Sequence, residues 1–266
     1  MLKTRVLTAT VLLAMFLSAL FFLPSPGWIA FCAAVLGAAV WEWGGLAALA
    51  LRGRLLYAVL SVALFVSPLA LGGASGSNGL YMPAWVYYAA GLFWILLVPL
   101  WIWQRQRLGG RWLMLAGGVL VLVSASAAMV DLRGVRPSLL LAVLGTVWVS
   151  DTAAYFGGRR FGKRKLAPSI SPGKTWEGVA AALAAVGLYA LAWASLVAPD
   201  RSPARILLVL LGLAVAGMIG DLFESLIKRQ AGVKDSGTLL PGHGGILDRI
   251  DAPVAMLPLA VLAFMR

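Results

Sequence analysis

Apolar residues run through this chain in nine windows, near residues 6–23, 28–51, 55–72, 84–103, 112–130, 138–157, 177–198, 204–227 and 250–265. Each approaches the roughly 20 residues that a helix needs to cross the hydrocarbon core of a bilayer. Breakers separate them: Pro24 and Pro26, the Gly72–Gly79 stretch, Pro137, Pro168 and Pro172, Pro199 and Pro203, and Pro241. The pattern predicts an all-α, polytopic integral membrane protein with about nine transmembrane helices. It forms a single membrane-embedded domain over residues 1–266, with N-terminal helices over 1–136 and the polar chemistry concentrated over 137–266. No repeat and no linker divides it.

Composition agrees, because 61% hydrophobic and 12% charged residues lie far from the half apolar, quarter charged balance of soluble domains. The net charge of +12 would suggest nucleic acid if the basic residues shared a polar face. Here they sit between apolar runs, so no nucleic-acid partner is expected, and topology accounts for their placement. With the N-terminus in the cytoplasm, all but five of the 22 Lys and Arg residues fall on the cytoplasmic side. The five are Arg133, Arg136, Arg201, Arg205 and Arg266. Lys3 and Arg5 precede an apolar run to Leu23 that is too long for a signal-peptide core and lacks a clear cleavage site, so a retained first helix is expected. The single cysteine, Cys32, lies within an apolar window and reads as a small buried residue.

Charge becomes informative between Gly220 and Asp251, GDLFESLIKRQAGVKDSGTLLPGHGGILDRID. Asp221, Ser225 and Lys228 are spaced to share one helical face. An acid, a hydroxyl and an ammonium on one stripe at the membrane boundary can hold a cation and a phosphate together. Lys228 and Arg229 taken alone would be interfacial anchors. Pro241, Gly242, His243, Gly244 and Gly245 form a turn whose glycines can aim backbone N–H groups at phosphate oxygens. His243 is the only histidine. It reads as a hydrogen-bond donor to phosphate or a structural member of the turn rather than a base, since a phosphate monoester is already largely ionised near pH 7. Asp248 and Asp251 stand at i, i+3 on the first turn of the ninth helix. Capping would explain one of them. Two, together with Asp221, suit Mg²⁺, which takes one or two carboxylates plus substrate phosphates.

A second polar region runs from Ser150 to Gly178. Asp151 and Tyr155 share a face near the end of the sixth helix, where an ionisable residue is costly and a functional candidate. The basic run from Arg159 to Lys165 also has a simple reading as a topology signal. Gly173, Lys174 and Thr175 resemble the end of a phosphate-binding P-loop, but Pro168 occupies its earlier glycine position and no buried strand precedes it, so that fold is excluded. Lys174 and Thr175 remain phosphate-contact candidates. Glu177, opening the seventh helix, is a cap or a further acid near the site.

The run Ser225-x-x-Lys228-Arg229, Lys234-Asp235, Pro241 to Gly245 and Asp248-Arg249-x-Asp251 resembles the signature of the phosphatidate cytidylyltransferase (CDP-diacylglycerol synthase) family. The likeness extends upstream to Asp151, Ala154, Tyr155 and Gly158, and to Ser171, Pro172, Lys174, Thr175, Glu177 and Gly178. It covers the C-terminal half by motif and the N-terminal half by hydropathy alone. Gly173 stands where a second lysine would also fit. The resemblance implies condensation of CTP with phosphatidate to CDP-diacylglycerol and pyrophosphate by metal-assisted in-line transfer. It further implies a homodimer in the bacterial inner membrane, with a polar cavity opening to the cytoplasm and laterally to lipid. Asp221, Ser225, Asp248 and Asp251 would surround a two-cation centre of Mg²⁺ and a monovalent ion such as K⁺, with Lys228 beside it. Asp151, Tyr155, Arg159, Lys174, Thr175, Glu177, Arg229, Lys234, Asp235, His243, Gly244, Gly245 and Arg249 would face the substrates. A transporter, a different lipid-nucleotide enzyme and a scaffold are the alternatives. The first lacks paired helix interruptions in two halves, and the third needs no focused charge. Of the second class, the CDP-alcohol phosphotransferases need an Asp-Gly pair that this chain does not contain, whereas a CDP-archaeol synthase would use closely similar chemistry on an ether lipid and stays open.

Overall fold

The computed structural model describes residues 2–70, 79–104, 110–196, 202–240, 242 and 244–265, the side chains of residues 2–5 and 70 excepted. His243, Pro241, Pro199, Gly72, Arg105, Arg107, Arg201 and Arg266 lie outside the described residues.

Backbone N–H and C=O groups in hydrocarbon have no water to bond, so a spanning segment satisfies them within itself as a helix. Accordingly the apolar windows become α1 (Leu2–Phe22), α2 (Ser25–Leu46), α3 (Leu51–Ala70), α4 (Ala84–Leu92), α5 (Val98–Gln104), α6 (Arg111–Val135), α7 (Pro137–Phe161), α8 (Trp176–Leu196), α9 (Pro203–Gln230) and α10 (Leu247–Phe264). A π-helical turn, Phe93–Leu97, joins α4 to α5, so the described residues contain nine helical runs. Seven of these are long and apolar enough to cross a membrane. The apolar part of α1, Val6–Phe22, is shorter, and α10 opens with Asp248, Arg249 and Asp251. Proline stands in the first turn of α2, α7 and α9, where its missing N–H would have had no helical partner.

The all-α expectation needs one addition. β1 (Lys165–Ala167) and β2 (Ser171–Thr175) form an antiparallel hairpin, Lys165 opposite Thr175 and Ala167 opposite Ser171. Trp176 N donates to Arg164 O at 3.0 Å, extending the pairing. This connection is polar and twice interrupted by proline, so it stays out of hydrocarbon and pairs sideways instead of forming a helix. Buried Ile170 at its tip anchors it to the helices.

Leucines and valines on α3 such as Leu55, Leu56, Val59 and Leu60 are exposed, as expected of a surface that meets lipid. The interior is built where α2, α6, α9 and α10 meet, and Phe223 of α9 is enclosed there by Trp43, Phe93, Trp94 and Trp101, with ring centroids 5.1 to 6.4 Å away. Two residues along a helix turn the chain by about 200°, so this aromatic enclosure fixes α9 with Asp221 pointing the opposite way. Arg133, near the end of α6, donates to Leu20 O at 2.8 Å and also to Leu23 O. The ends of α1 and α6 therefore share one side of the bundle, as the loop charges required.

Small residues let the helices of the site approach closely. A Cβ on Gly220 would lie 2.5 Å from Asp251 O and 2.9 Å from Ala255 Cβ, so α9 rests directly on the α10 backbone at Asp251. Likewise a Cβ on Gly178 would lie 2.9 Å from Ala154 O, and one on Gly157 would run into Ala181 Cβ, which holds α7 against α8. Gly220→Ala is expected to force α9 and α10 apart at a cost of about 1–3 kcal/mol, the usual range for overpacking. Thermal unfolding in detergent would register this as a lowered midpoint. Gly212→Ala, whose added methyl meets nothing within 4 Å, serves as the control, and equal midpoints for the two variants would refute the close approach.

Candidate active site

Three ion pairs mark the end of the bundle where α2 and α9 finish and α10 begins. Lys174 of β2 places Nζ 2.6 Å from Asp221 Oδ2. Lys228, two turns further along α9, places Nζ 2.6 Å from Asp248 Oδ1 and 3.1 Å from Glu224 Oε1. Asp221 also lies within electrostatic reach of both Asp151 and Asp251. Five carboxylates and two ammonium groups from α7, β2, α9 and α10 therefore share one locality. Ser225 Oγ is 3.5 Å from Asp221 Oδ1, as the i, i+4 spacing requires.

The side chains fall into distinct tasks. Asp248 is almost fully engaged: Oδ2 accepts from Ser236 N at 3.0 Å, Ser236 Oγ at 3.0 Å and Gly245 N at 2.8 Å, while Oδ1 accepts from Lys228. It organises the turn as well as contributing charge. Gly244 has φ +83, a left-handed conformation that glycine adopts without the Cβ penalty. A Cβ on Gly244 would also lie 2.8 Å from Asp248 Oδ2. Asp251 turns Oδ1 onto its own neighbour's amide, Ala252 N, at 2.8 Å. Asp248 and Asp251 thus face different partners, and the first-turn spacing does not by itself make them one ligand pair.

Asp151 is exposed in the isolated chain, on the side of α7 within electrostatic reach of Lys174 and Asp221. Tyr155 and Arg159 are likewise exposed, and Arg159 Nη1 donates to Tyr155 Oη at 3.1 Å. Thr175 is buried, its Oγ1 accepting from Gly178 N at 3.2 Å. That bond starts α8 and holds β2 so that Lys174 reaches Asp221. Glu177 accepts from Lys163 N at 3.0 Å and Arg164 N at 3.2 Å, so its carboxylate ties the loop after α7 to the start of α8, at the root of the hairpin. Arg229 is turned toward the hairpin tip, with Nε 3.5 Å from Ile170 O. Lys234, Asp235 and Arg249 are exposed beside the turn.

Two acids of the site escaped the sequence reading. Glu224 is buried, and neither carboxylate oxygen has a hydrogen-bond partner. Its contact with Lys228 is an ion pair by distance without hydrogen-bonding geometry. Its spacing from Asp221 and Lys228 was the available signal. Glu42, from α2, is buried against the turn and accepts from Ser236 Oγ, Ile246 N and Leu247 N. An isolated acid inside an apolar window was its only signal.

Among the described residues, no group of three or more His, Cys, Asp and Glu side chains is gathered tightly enough to form a cation cage. The donor set still fits a hard cation completed by phosphate oxygens. Asp221 is partly open, its carboxylate already attracts an ammonium, and Glu224 offers buried oxygens that no hydrogen bond occupies. Such a site has strong negative potential and basic groups at its rim, which suits a polyanionic substrate carried by a metal.

Known proteins are similar in sequence to this chain, one of them along almost its whole length. The phosphatidate cytidylyltransferase of Pseudomonas aeruginosa is 41% identical over 271 residues, 97% of this chain and 95% of that protein. The protein of the same name from Brucella suis is 43% identical over 171 residues, 63% of this chain and 60% of its own. Its counterpart in Bacillus subtilis is 49% identical over 113 residues, 42% of each. The family model for the cytidylyltransferases matches residues 3–265. With the match spanning both the helical scaffold and the charged locality at its end, this chain belongs to the cytidylyltransferase family.

Proposed function

We propose that this chain joins CTP to phosphatidate in the bacterial inner membrane, releasing pyrophosphate and leaving CDP-diacylglycerol in the bilayer. The observation that carries the reading is the convergence of Lys174, Asp221, Lys228 and Asp248 at one end of an apolar bundle. A nucleotide can reach that end from water, and a diacyl lipid can reach it sideways from the membrane. The N-terminus and this site lie on the cytoplasmic face in this reading, and the chain works as a homodimer.

A phosphate oxygen of phosphatidate attacks the α-phosphorus of CTP, the bond to the β-phosphate oxygen breaks, and pyrophosphate carries away the electron pair. Little covalent work is asked of the protein, so positioning and charge stabilisation dominate. Asp221, Ser225, Asp251 and Glu224 would hold the cation, with Asp248 completing the set when the turn adjusts to substrate. Mg²⁺, with a monovalent ion such as K⁺, would neutralise charge on the phosphates when bound there. Lys174 exchanges its carboxylate partner for a nucleotide phosphate, Arg159 and Arg249 gather the polyanion, and Lys228 keeps Asp248 and Glu224 in place. The Gly244–Gly245 turn lines the approach.

The test is product formation by purified protein in detergent, supplied with phosphatidate and either CTP, dCTP or ATP, with and without magnesium. Pyrophosphate and a CDP-lipid are expected from CTP with magnesium, and loss of the cation should abolish both. Turnover that ignores the nucleotide base, or persists after chelation, would remove this reading.

A further inference from the structure

Glu42 is buried at 3% exposure in α2, and it is the only acid before Asp131. Its carboxylate is occupied on both oxygens by residues about two hundred positions later. Oε2 accepts from Ser236 Oγ at 2.8 Å and from Leu247 N at 2.9 Å, and Oε1 accepts from Ile246 N at 3.0 Å. The two amides belong to the start of α10, where N–H groups have no partner in their own helix. Gly237 and Gly245 press against the same carboxylate: a Cβ on Gly237 would lie 2.5 Å from Glu42 Oε1, and one on Gly245 would run into Oε2. The turn is wrapped around Glu42.

From this geometry we infer that Glu42 is a positioning residue for the transfer reaction, setting the place of Asp248 and hence of Lys228 through Ser236 and the first amides of α10. The inference rests on the proposed reading of this site as a nucleotidyl-transfer centre. Ser236 links the two acids, since its hydroxyl lies 2.8 Å from Glu42 Oε2 and 3.0 Å from Asp248 Oδ2. A hydroxyl has one proton to donate, so it serves one carboxylate at a time. The two amides hold Glu42 to the turn while that proton is shared, and so the turn keeps its shape whichever acid Ser236 serves. Lys228 follows because its Nζ is 2.6 Å from the other oxygen of Asp248.

Glutamine cannot reproduce this arrangement. Its single carbonyl oxygen can satisfy one side of the pocket, and its NH₂ then confronts N–H or O–H donors on the other. The experiment compares wild type, Glu42→Gln, Glu42→Asp and Ser236→Ala as full-length protein in detergent, measuring kcat and KM for CTP together with hydrogen exchange over residues 236–250 without substrate. In Glu42→Gln, kcat is expected to fall about tenfold or more with KM for CTP little changed, since the lost interaction acts on groups engaged in the transition state. Exchange over 236–250 should quicken while the other helices keep their protection. Glu42→Asp should recover part of the loss. Ser236→Ala leaves Glu42 its two amide donors, and its kcat should still fall.

A Glu42→Gln protein that keeps both kcat and exchange at wild-type levels overturns the inference. So does a loss of activity in Glu42→Gln that merely follows the fraction of folded protein while Ser236→Ala keeps full kcat. If wild type makes no CDP-lipid, the proposed reaction fails, and the exchange measurement still decides whether Glu42 holds the turn.

Discussion

Replacement of Lys228 by methionine is expected to lower turnover about a thousandfold and to lower the unfolding midpoint at the same time. The side chain is 12% exposed, and its partners Asp248 and Glu224 are 5% and 4% exposed. Methionine preserves most of the stem's volume and removes only the charge. Two buried carboxylates then face each other's surroundings with no counter-ion. Removing one member of a buried pair typically costs about 3–5 kcal/mol, because the charge left behind cannot recover its hydration. Pyrophosphate release and thermal unfolding in detergent measure the two effects separately. Lys228→Arg should retain part of the stability and little of the activity, since the planar guanidinium keeps the charge and misplaces it. A methionine variant with wild-type turnover would show that this ammonium is dispensable.

Asp248→Asn is expected to reduce turnover by about a hundredfold or more while the protein remains inserted and folded. Its two oxygens face four donors: Ser236 N, Ser236 Oγ and Gly245 N on one side and Lys228 on the other. An amide must turn its NH₂ toward one of these sets, which replaces attraction by a donor–donor conflict. The charge pair with Lys228 is lost either way, and if the NH₂ meets Lys228 the hydrogen bond between them is lost too. If it meets the turn, Ser236 and Gly245 are released. Hydrogen bonds to charged groups are typically worth about 1.5–3 kcal/mol each, so either choice is costly at the site and small against the helical scaffold. Activity per folded protein and membrane-extracted yield decide the outcome. Full activity in this variant would remove Asp248 from both the turn and the reaction.

Much of the scaffold was legible because a bilayer leaves the backbone few options. Apolar length specified the helical runs, and the alternation of loop charge correctly paired the ends of α1 and α6. The stripe of Asp221, Ser225 and Lys228 followed from helical spacing alone. What the sequence hid was determined by contact at a distance. The pairing of Lys174 with Asp221 depends on a hairpin whose strands are too short for period-two alternation to register. Phe93–Leu97 reads as ordinary apolar helix, and only packing around Phe223 distinguishes its π-helical path. Glu177 reads as a cap or a further acid near the site, and nothing in its spacing shows that its carboxylate takes the amides of Lys163 and Arg164. Asp248 and Asp251 have the spacing of convergent ligands, yet the turn and the Ala252 amide draw them to different partners. Glu224 was visible at the correct spacing, but burial was needed to distinguish it from a surface acid.

The wrapped carboxylate of Glu42 also bears on how the chain is made. Ser236 and Leu247 follow it by 194 and 205 positions. At ribosomal speeds of about 5–20 residues per second, the acid emerges about 10–40 s before its last donor. During that interval α2 enters the membrane carrying an acid without the amides that will later enclose it, and an intramembrane carboxylate without partners is costly. The helix α10 is therefore more than one further apolar helix of the bundle. Its arrival relieves a burden borne since α2 was laid down, so enclosing this acid and assembling the reaction centre become the same event.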